Sequence, residues 1–233
     1  MAYLYFDESI RENGKFIIGA LVVASRNLSP VVRQEWEEMG LDPDNEEYKS
    51  SAPKDGNEIS SKQRGVIRKL LFYSKLGLVV LPSEDRTKLG NYCADLVCQL
   101  FDTGFLKEED HELYIDENIY MSQENQNRLN DLKIQCFLNS NSSIEAGIQI
   151  SDHAAHALGG MLLEELGIVK KQVRAGEKSG YPPDELLNLG FELWASLRYA
   201  LICKQEYIEG LSPPPEDPAN PFYRVEGLWP SDC

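Results

Sequence analysis

A nearly all-apolar stretch, Gly147 to Leu166, constrains this chain more than any other segment. Because it is apolar around almost its whole circumference, it predicts a buried helix. Four polar residues nevertheless fall within an arc of roughly 100° on one side of that helix, namely Gln149, Asp152, His153 and His156. A buried carboxylate is costly unless it is paired, hydrogen-bonded or bound to a metal. A polar partner must therefore face this side of the helix.

The chain begins with a predicted strand over residues 2–8, which is apolar on both faces and ends in Asp7 and Glu8. A strand of this kind belongs in the middle of a covered sheet. Its end, YFDES, is echoed by YIDEN at residues 114–118. Because side chains alternate along a strand, each Asp lies on the face of its Tyr and each Glu on the other face. If the two strands are parallel neighbours, Asp7 and Asp116 lie side by side.

Turn signals, helix caps and apolar periodicity predict the other elements. The expected strands and turns are a hairpin turn at 12–15, strands over 16–24, 76–81 and 112–117, and a short strand or extended segment at 144. The expected helices cover 29–39, 62–73, 83–103, 123–138 and 185–209. Ser29 is the expected N-cap before Pro30. The predicted organisation is one α/β domain over residues 1–210 and an extended Pro-rich tail over 211–233.

The composition limits the classes of function. No apolar run approaches the length of about 20 residues that spans a bilayer, and the N-terminus has no basic region ahead of its apolar residues, so we expect neither membrane span nor signal peptide. Five cysteines without metal-type spacing favour reduced thiols in a cytoplasmic protein.

The net charge of −15 argues against a broad electrostatic footprint on nucleic acid. Substrate contacts would then be confined to a small metal-bearing cleft, or a basic partner would supply the other contacts to the substrate. A solvated acidic surface that aids solubility accounts for most of this charge. Positive charge is expected to gather only in the Gly/Pro-punctuated loop at residues 170–183.

Three carboxylates form the candidate site: Asp7 and Asp116 at strand ends and Asp152 on the buried helix. Any one of them could instead be a cap or a strand-end hydrogen-bond acceptor. Gathered carboxylates repel one another, and a divalent cation removes that repulsion. Hard oxygen ligands select Mg²⁺ or Mn²⁺, and two such ions about 3.5–4 Å apart can stabilise both oxygens of a phosphodiester cleavage.

Other residues are secondary candidates. Glu8 is a further possible metal ligand, although its parity in the strand is wrong for the same cluster. Lys49 could reach a phosphate. His153 and His156 could orient a water or pack as neutral core histidines, and we expect packing for at least one of them. The sequence contains no HExxH spacing, no Gly-rich phosphate loop and no GxSxG elbow.

In their order and spacing these motifs resemble the bacterial and phage "domain of unknown function 3800" family of ribonuclease H-like proteins. The matching segments are YFDES with its hairpin to FIIGA, EYKSS at 47–51, YID at 114–116 and QISD at 149–152. The resemblance covers roughly residues 3–205. It departs at Ile10, where the family usually has Gly.

The resemblance implies a mixed five-stranded sheet flanked by helices. It also implies that Asp7, Asp116 and Asp152 match the acidic positions of a metal-dependent nuclease centre, and that Glu47 and Lys49 match a Glu-x-Lys motif.

The sequence therefore favours a nuclease-like protein in which Asp7 and Asp116 bridge Mg²⁺ or Mn²⁺, Asp152 completes the coordination and Lys49 lies near the scissile phosphate. The substrate would be nucleic acid, DNA or RNA. A catalytically inactive scaffold in a defence-type assembly, with a protein partner or as a homodimer, is the alternative, and a phosphatase of small esters would use the same metals.

Overall fold

The N-terminal hairpin starts the fold of this protein, whose computed structural model describes residues 1–51, 58–175, 181–182, 184–204 and 223–224. Strand β1, Tyr3–Arg11, pairs antiparallel with β2, Phe16–Ala24. A short 3-10 turn joins them, and Lys15 closes it with a left-handed φ of 54°. The predicted hairpin turn and the second strand are confirmed.

Three further strands complete a mixed sheet: β3 (Lys75–Pro82), β4 (His111–Asp116) and β5 (Ile134–Ser140). The strand order is β3-β2-β1-β4-β5. Pairs β1–β2 and β2–β3 are antiparallel, whereas β1–β4 and β4–β5 are parallel. Strand β1 therefore lies in the middle of the sheet, as its two apolar faces predicted.

Among the described residues, six helices accompany the sheet: α1 (Ser29–Glu38), α2 (Glu58–Phe72), α3 (Leu89–Asp102), α4 (Gln123–Asp131), α5 (Ile148–Glu165) and α6 (Leu189–Leu197). Two separate cores result, because successive residues of β1 point to opposite faces. Tyr5 packs in the core that contains α1, α2, α5 and α6, while Leu4 and Phe6 pack against α3 and α4. The expected α/β class, a mixed five-stranded sheet flanked by helices, is confirmed.

The predicted helix over 123–138 is wrong in its second half. Helix α4 ends at Asp131, Lys133 adopts a left-handed φ of 61°, and β5 begins at Ile134. Pairing with β4 at the open edge of the sheet outweighs the helical propensity of this segment. Ile144, where a short strand or extended segment was expected, is exposed and follows β5 in a loop.

The predicted long helix over 185–209 is also wrong. Its start is strand β7 (Leu186–Asn188), which pairs antiparallel with β6 (Gln172–Arg174), and α6 spans only nine residues before β8 (Cys203–Lys204). Residues 205–209 lie outside the described part of the chain. So does most of the Pro-rich tail, of which β9 (Tyr223–Arg224) pairs with β8. Much of the basic loop, residues 176–180 and 183, lies outside it as well.

Ser29 does not cap α1 as expected. The N-cap residue is Leu28, and the Ser29 hydroxyl instead donates to Glu145 at 3.1 Å and accepts from the Gly147 amide at 3.0 Å. This hydroxyl therefore joins the start of α1 to the start of α5. In the part of the chain that the structure describes, no helix is long and apolar enough to cross a membrane.

Candidate metal centre

The centre begins with the alignment of β1 and β4. Tyr5 pairs with Tyr114 and Phe6 with Ile115, and the two tyrosine rings stack with centroids 5.6 Å apart. Asp7 and Asp116 follow these pairs in the two strands, close enough for the charge of Asp116 to act on Asp7. Two neighbouring carboxylates repel each other, so a proton or a cation stabilises the pair.

Burial and mutual repulsion shift the acidity of this pair. Burial raises the pKa of Asp7 well above its ordinary range, and the charges of Asp116 and Asp152 raise it further. Burial raises the pKa of Asp116 to about 6, although the Glu117 amide and the charge of Lys49 oppose this rise. The site thus concentrates negative charge that only a proton or a cation can neutralise.

The polar side of α5 faces the loop at residues 47–51. The Tyr48 amide donates to Gln149 Oε1 at 3.1 Å, and the Tyr48 hydroxyl lies 3.0 Å from His153 Nδ1. The Ser50 amide donates to Asp152 Oδ2 at 2.9 Å and its hydroxyl to Asp152 Oδ1 at 2.6 Å. This loop is the polar partner that the helix pattern required.

Helix α5 is fixed to the sheet from the other side as well. The buried Ser151 hydroxyl donates to the carbonyl of Tyr5 at 2.8 Å. Since Ser151 and Asp152 are adjacent, this bond fixes the position of Asp152 along β1, near Asp7. Asp152 lies close enough for its charge to act on Asp7 and on Lys49.

Lys49 and Glu47 form an ion pair beside the carboxylates, with Nζ 2.7 Å from Oε1. Glu47 also accepts a short hydrogen bond from the Ser142 hydroxyl. Burial lowers the pKa of Lys49, but the hydrogen bond and charge of Glu47, with the charges of Asp152 and Asp116, outweigh it and raise the pKa. Lys49 therefore stays a cation next to the acidic pair.

Two sequence candidates lie elsewhere. Glu8 points to the opposite face of the sheet, as its parity predicted, and its Oε1 lies 2.5 Å from Arg86 Nη2. The structure therefore does not bring Glu8 to the other carboxylates. His153 is a buried, hydrogen-bonded imidazole, and His156 contributes its backbone carbonyl, which accepts from Arg11 Nη2 at 2.5 Å.

Sequence reasoning missed Arg11, Tyr48 and Ser50. Arg11 ends β1, and burial lowers its pKa while the charge of Asp152 opposes that change. Its Nε is buried with no hydrogen-bond partner among the described residues. Tyr48 and Ser50 carry no signal of their own, but both flank Lys49 within the EYKSS segment.

The donor set suits a hard divalent cation. Within the described ranges, no three acidic, imidazole or thiol side chains are arranged so that they could hold an ion. Mg²⁺, however, keeps several waters and is commonly bound through one or two carboxylates. The Asp7–Asp116 pair supplies two, so these residues fit the ion that their chemistry implies.

Comparison with known proteins gives the following findings. No family model matches the chain. No curated protein matches it. Among solved structures, a chain from the structure of the PCNA:RNase HII complex from Archaeoglobus fulgidus is similar to it, with a TM-score of 0.43 and 12% sequence identity, over 85% of this chain and 91% of that chain.

Proposed function

We propose that this protein is a metal-dependent, nuclease-like hydrolase of phosphodiester bonds in nucleic acid. The observation that carries this proposal is the proximity of Asp7 and Asp116 at the ends of adjacent parallel strands, where the charge of Asp116 acts on Asp7. Burying two neighbouring carboxylates at the ends of two strands costs folding free energy, because their charges repel each other and lose hydration. A hard cation between them removes that cost.

In this proposal Asp7 and Asp116 would hold Mg²⁺ or Mn²⁺. Asp152, whose oxygens both accept from Ser50, would be the third residue to hold the ion. When bound, such an ion supplies a water of lowered pKa and stabilises charge on a phosphoryl oxygen.

Lys49, which pairs with Glu47, supplies the positive charge of the same centre. Lys49 is held near Asp152 and Asp116 by its loop, which places an ammonium group where a scissile phosphate would approach. Glu47 orients Lys49 through their ion pair at 2.7 Å. A fixed cation is most effective where negative charge develops during the reaction.

We further propose that the chain belongs to the domain-of-unknown-function family that its motifs resemble, and that it works in the cytoplasm. The motifs supporting membership are the Asp-Glu-Ser opening, the Glu-x-Lys segment and the late Gln-x-x-Asp. The cytoplasm suits thiols that are not paired, and Cys93, Cys98 and Cys136 are free.

The first test is thermal unfolding with and without Mn²⁺ or Mg²⁺, for wild type, Asp116→Asn and Asp152→Asn. A ligand that binds only the folded state raises its stability, by about 2.7 kcal/mol at 100 times Kd. We expect Mn²⁺ to raise the melting temperature of wild type, to have no effect on Asp116→Asn and a reduced effect on Asp152→Asn. Glu8→Gln is the matched control and keeps the wild-type response. Equal responses in all four proteins would contradict the proposal.

A second candidate is a catalytically inactive scaffold that binds a protein partner or a second copy of itself. It is favoured by the Ser50 hydrogen bonds, which satisfy both oxygens of Asp152 without a metal, and by the net charge of −15. Such a protein would not respond to Mn²⁺, and Asp152→Asn would be neutral or stabilising.

Salt dependence separates the two candidates further. Binding to nucleic acid weakens steeply as salt rises, because counterions are released. A hydrophobic contact between proteins does not weaken in that way.

A further inference from the structure

Positive charge is concentrated on α2 and the segment after it. Residues 58–83 contain five basic residues and one acidic one, Glu58, in a chain with a net charge of −15. Lys62 pairs with Glu58 and Arg68 with Glu192. The basic residues are Lys62, Arg64, Arg68, Lys69 and Lys75. The expectation that positive charge gathers only at residues 170–183 is therefore wrong.

The first part of this basic segment lies near the candidate metal centre. The positive charges of Arg64 and Arg68 act on Tyr48 and oppose the rise of its pKa. Tyr48 immediately precedes Lys49 and is bonded to α5 through Gln149. From Arg64, α2 continues for eight residues to its end at Phe72, a distance of about 12 Å.

Three exposed aromatic rings lie at the C-terminal end of α2 and are here called the aromatic patch: Phe72, Tyr73 and Tyr199. Their exposed fractions are 55%, 75% and 57%. The Phe72 ring centroid lies 5.3 Å from that of Tyr73 and 6.3 Å from that of Tyr199. The Arg198 guanidinium lies over the Tyr199 ring, 4.7 Å from its centroid.

A cavity adjoins the aromatic patch between the end of β2 and the end of α2. Its volume is about 330 Å³, and Arg26, Tyr73, Ser25 and Ser74 are among the residues that line it. This volume is at the small end of the range for ligand pockets. The cavity combines an aromatic wall, a cation and two hydroxyl groups.

We propose that the basic face of α2 and the aromatic patch bind single-stranded nucleic acid and lead it to the metal centre. Proteins that bind single strands combine a positively charged path for the backbone with aromatic rings on which bases stack. Exposed rings can stack only on unpaired bases, whereas the bases of a duplex are already stacked on each other. This inference deepens the proposed nuclease function and rests on it for the choice of substrate.

Binding is tested in EDTA, so that the result is independent of the metal centre. The probes are fluorescein-labelled 15-mers, oligo(dT) and oligo(U), with a 15-base-pair duplex for comparison, and fluorescence anisotropy gives Kd. We expect wild type to bind at least one single strand more tightly than the duplex. The double variant Tyr73→Ala/Tyr199→Ala should bind it at least tenfold more weakly.

Two matched controls accompany these variants. Tyr92→Ala removes a partly exposed tyrosine of α3, on the other face of the sheet, and should stay within twofold of wild type. Lys69→Glu should weaken binding and reduce its salt dependence, whereas Lys107→Glu, in the loop after α3, should change it little. Circular dichroism confirms that each variant is folded.

The outcomes separate this inference from the proposed function. Binding that survives in Asp116→Asn while cleavage fails in every protein supports the single-strand surface and contradicts only the metal centre. Equal affinity of wild type and Tyr73→Ala/Tyr199→Ala, or a preference for the duplex, overturns the inference. The inference is also overturned if no oligonucleotide binds and sedimentation shows a dimer that Lys69→Glu dissociates. A second copy of this acidic chain would then occupy the surface.

Discussion

Tyr5 and Tyr114 are register partners on parallel strands, and their stacked rings set the position of the two aspartates that follow them. Phe137 on β5 continues the stack, with its ring centroid 4.7 Å from that of Tyr114. A slip of one residue between β1 and β4 would move Asp116 to the opposite face. Three aromatic rings therefore hold the register on which the proximity of Asp7 and Asp116 depends.

The acidic pair predicts an unusual dependence of stability on pH. Asp116 has a folded-state pKa of about 6, whereas an unfolded Asp titrates near pH 4. Between these values the folded state binds more protons than the unfolded state, so the free energy of unfolding falls as pH rises. The raised pKa of Asp7 extends this fall to higher pH. Asp116→Asn should flatten the curve, measured by urea unfolding from pH 4 to 8 without metal.

The control for this experiment is Glu124→Gln, which removes an exposed carboxylate of α4. Its curve should run parallel to that of wild type. A parallel curve for Asp116→Asn would contradict the prediction.

Ser50→Ala should weaken the fold and strengthen the response to metal. The change removes the hydroxyl that donates to Asp152 Oδ1 at 2.6 Å. A hydrogen bond to a charged group contributes about 1.5–3 kcal/mol, so the free energy of unfolding without metal should fall by a similar amount. Because one oxygen of Asp152 loses its hydrogen bond to Ser50, that oxygen becomes available to a metal ion. Mn²⁺ should therefore raise the melting temperature more than in wild type. Ser51→Ala, an exposed neighbour, should match wild type in both respects.

Tyr48→Phe should loosen the loop that carries Lys49. It removes the hydroxyl that lies 3.0 Å from His153 Nδ1, at a cost of about 1–2 kcal/mol in the free energy of unfolding. Hydrogen exchange at the Ser50 amide should accelerate, because that amide is protected by its bond to Asp152. Tyr120→Phe, on an exposed side chain, is the control. Unchanged exchange at Ser50 would show that the hydroxyl does not hold the loop.

Two glycine substitutions should have opposite effects. A Cβ at Gly147 would lie 2.3 Å from Cε1 of Tyr5, so Gly147→Ala should destabilise the protein by about 1–3 kcal/mol. At Gly65 in α2 a Cβ meets no atom within 4 Å, so Gly65→Ala should stabilise the helix by up to about 1 kcal/mol. Urea unfolding measures both changes. Equal effects at the two positions would contradict the close approach of α5 to Tyr5.

The echo of YFDES in YIDEN predicted the face of each Asp from the alternation of side chains. It placed the two aspartates side by side only if the strands were parallel neighbours, and the structure meets that condition. The apolar run with its polar side likewise predicted α5 and the need for a polar partner. The identity of that partner could not be predicted. The 47–51 loop has no periodicity, and its contacts with α5 join residues more than 100 positions apart.

The two wrong helix predictions share one cause. Strand β5 follows α4 after only two residues, and no Gly or Pro marks the break. The left-handed turn at Lys133 depends on the pairing of β5 with the edge of the sheet. The local sequence does not indicate that pairing. Strand β7 was likewise read as helix because its pairing with β6 is a tertiary contact.

The sequence separation of the contacts around the centre has a consequence for the order of folding. The β1–β2 hairpin joins nearby residues, but Ser50 and Asp152 are separated by 102 positions and Tyr48 and His153 by 105. Contacts of such separation form only after a large loss of chain entropy. We therefore expect the hairpin early and the complete carboxylate centre last, so that a growing chain acquires the centre only once α5 has docked.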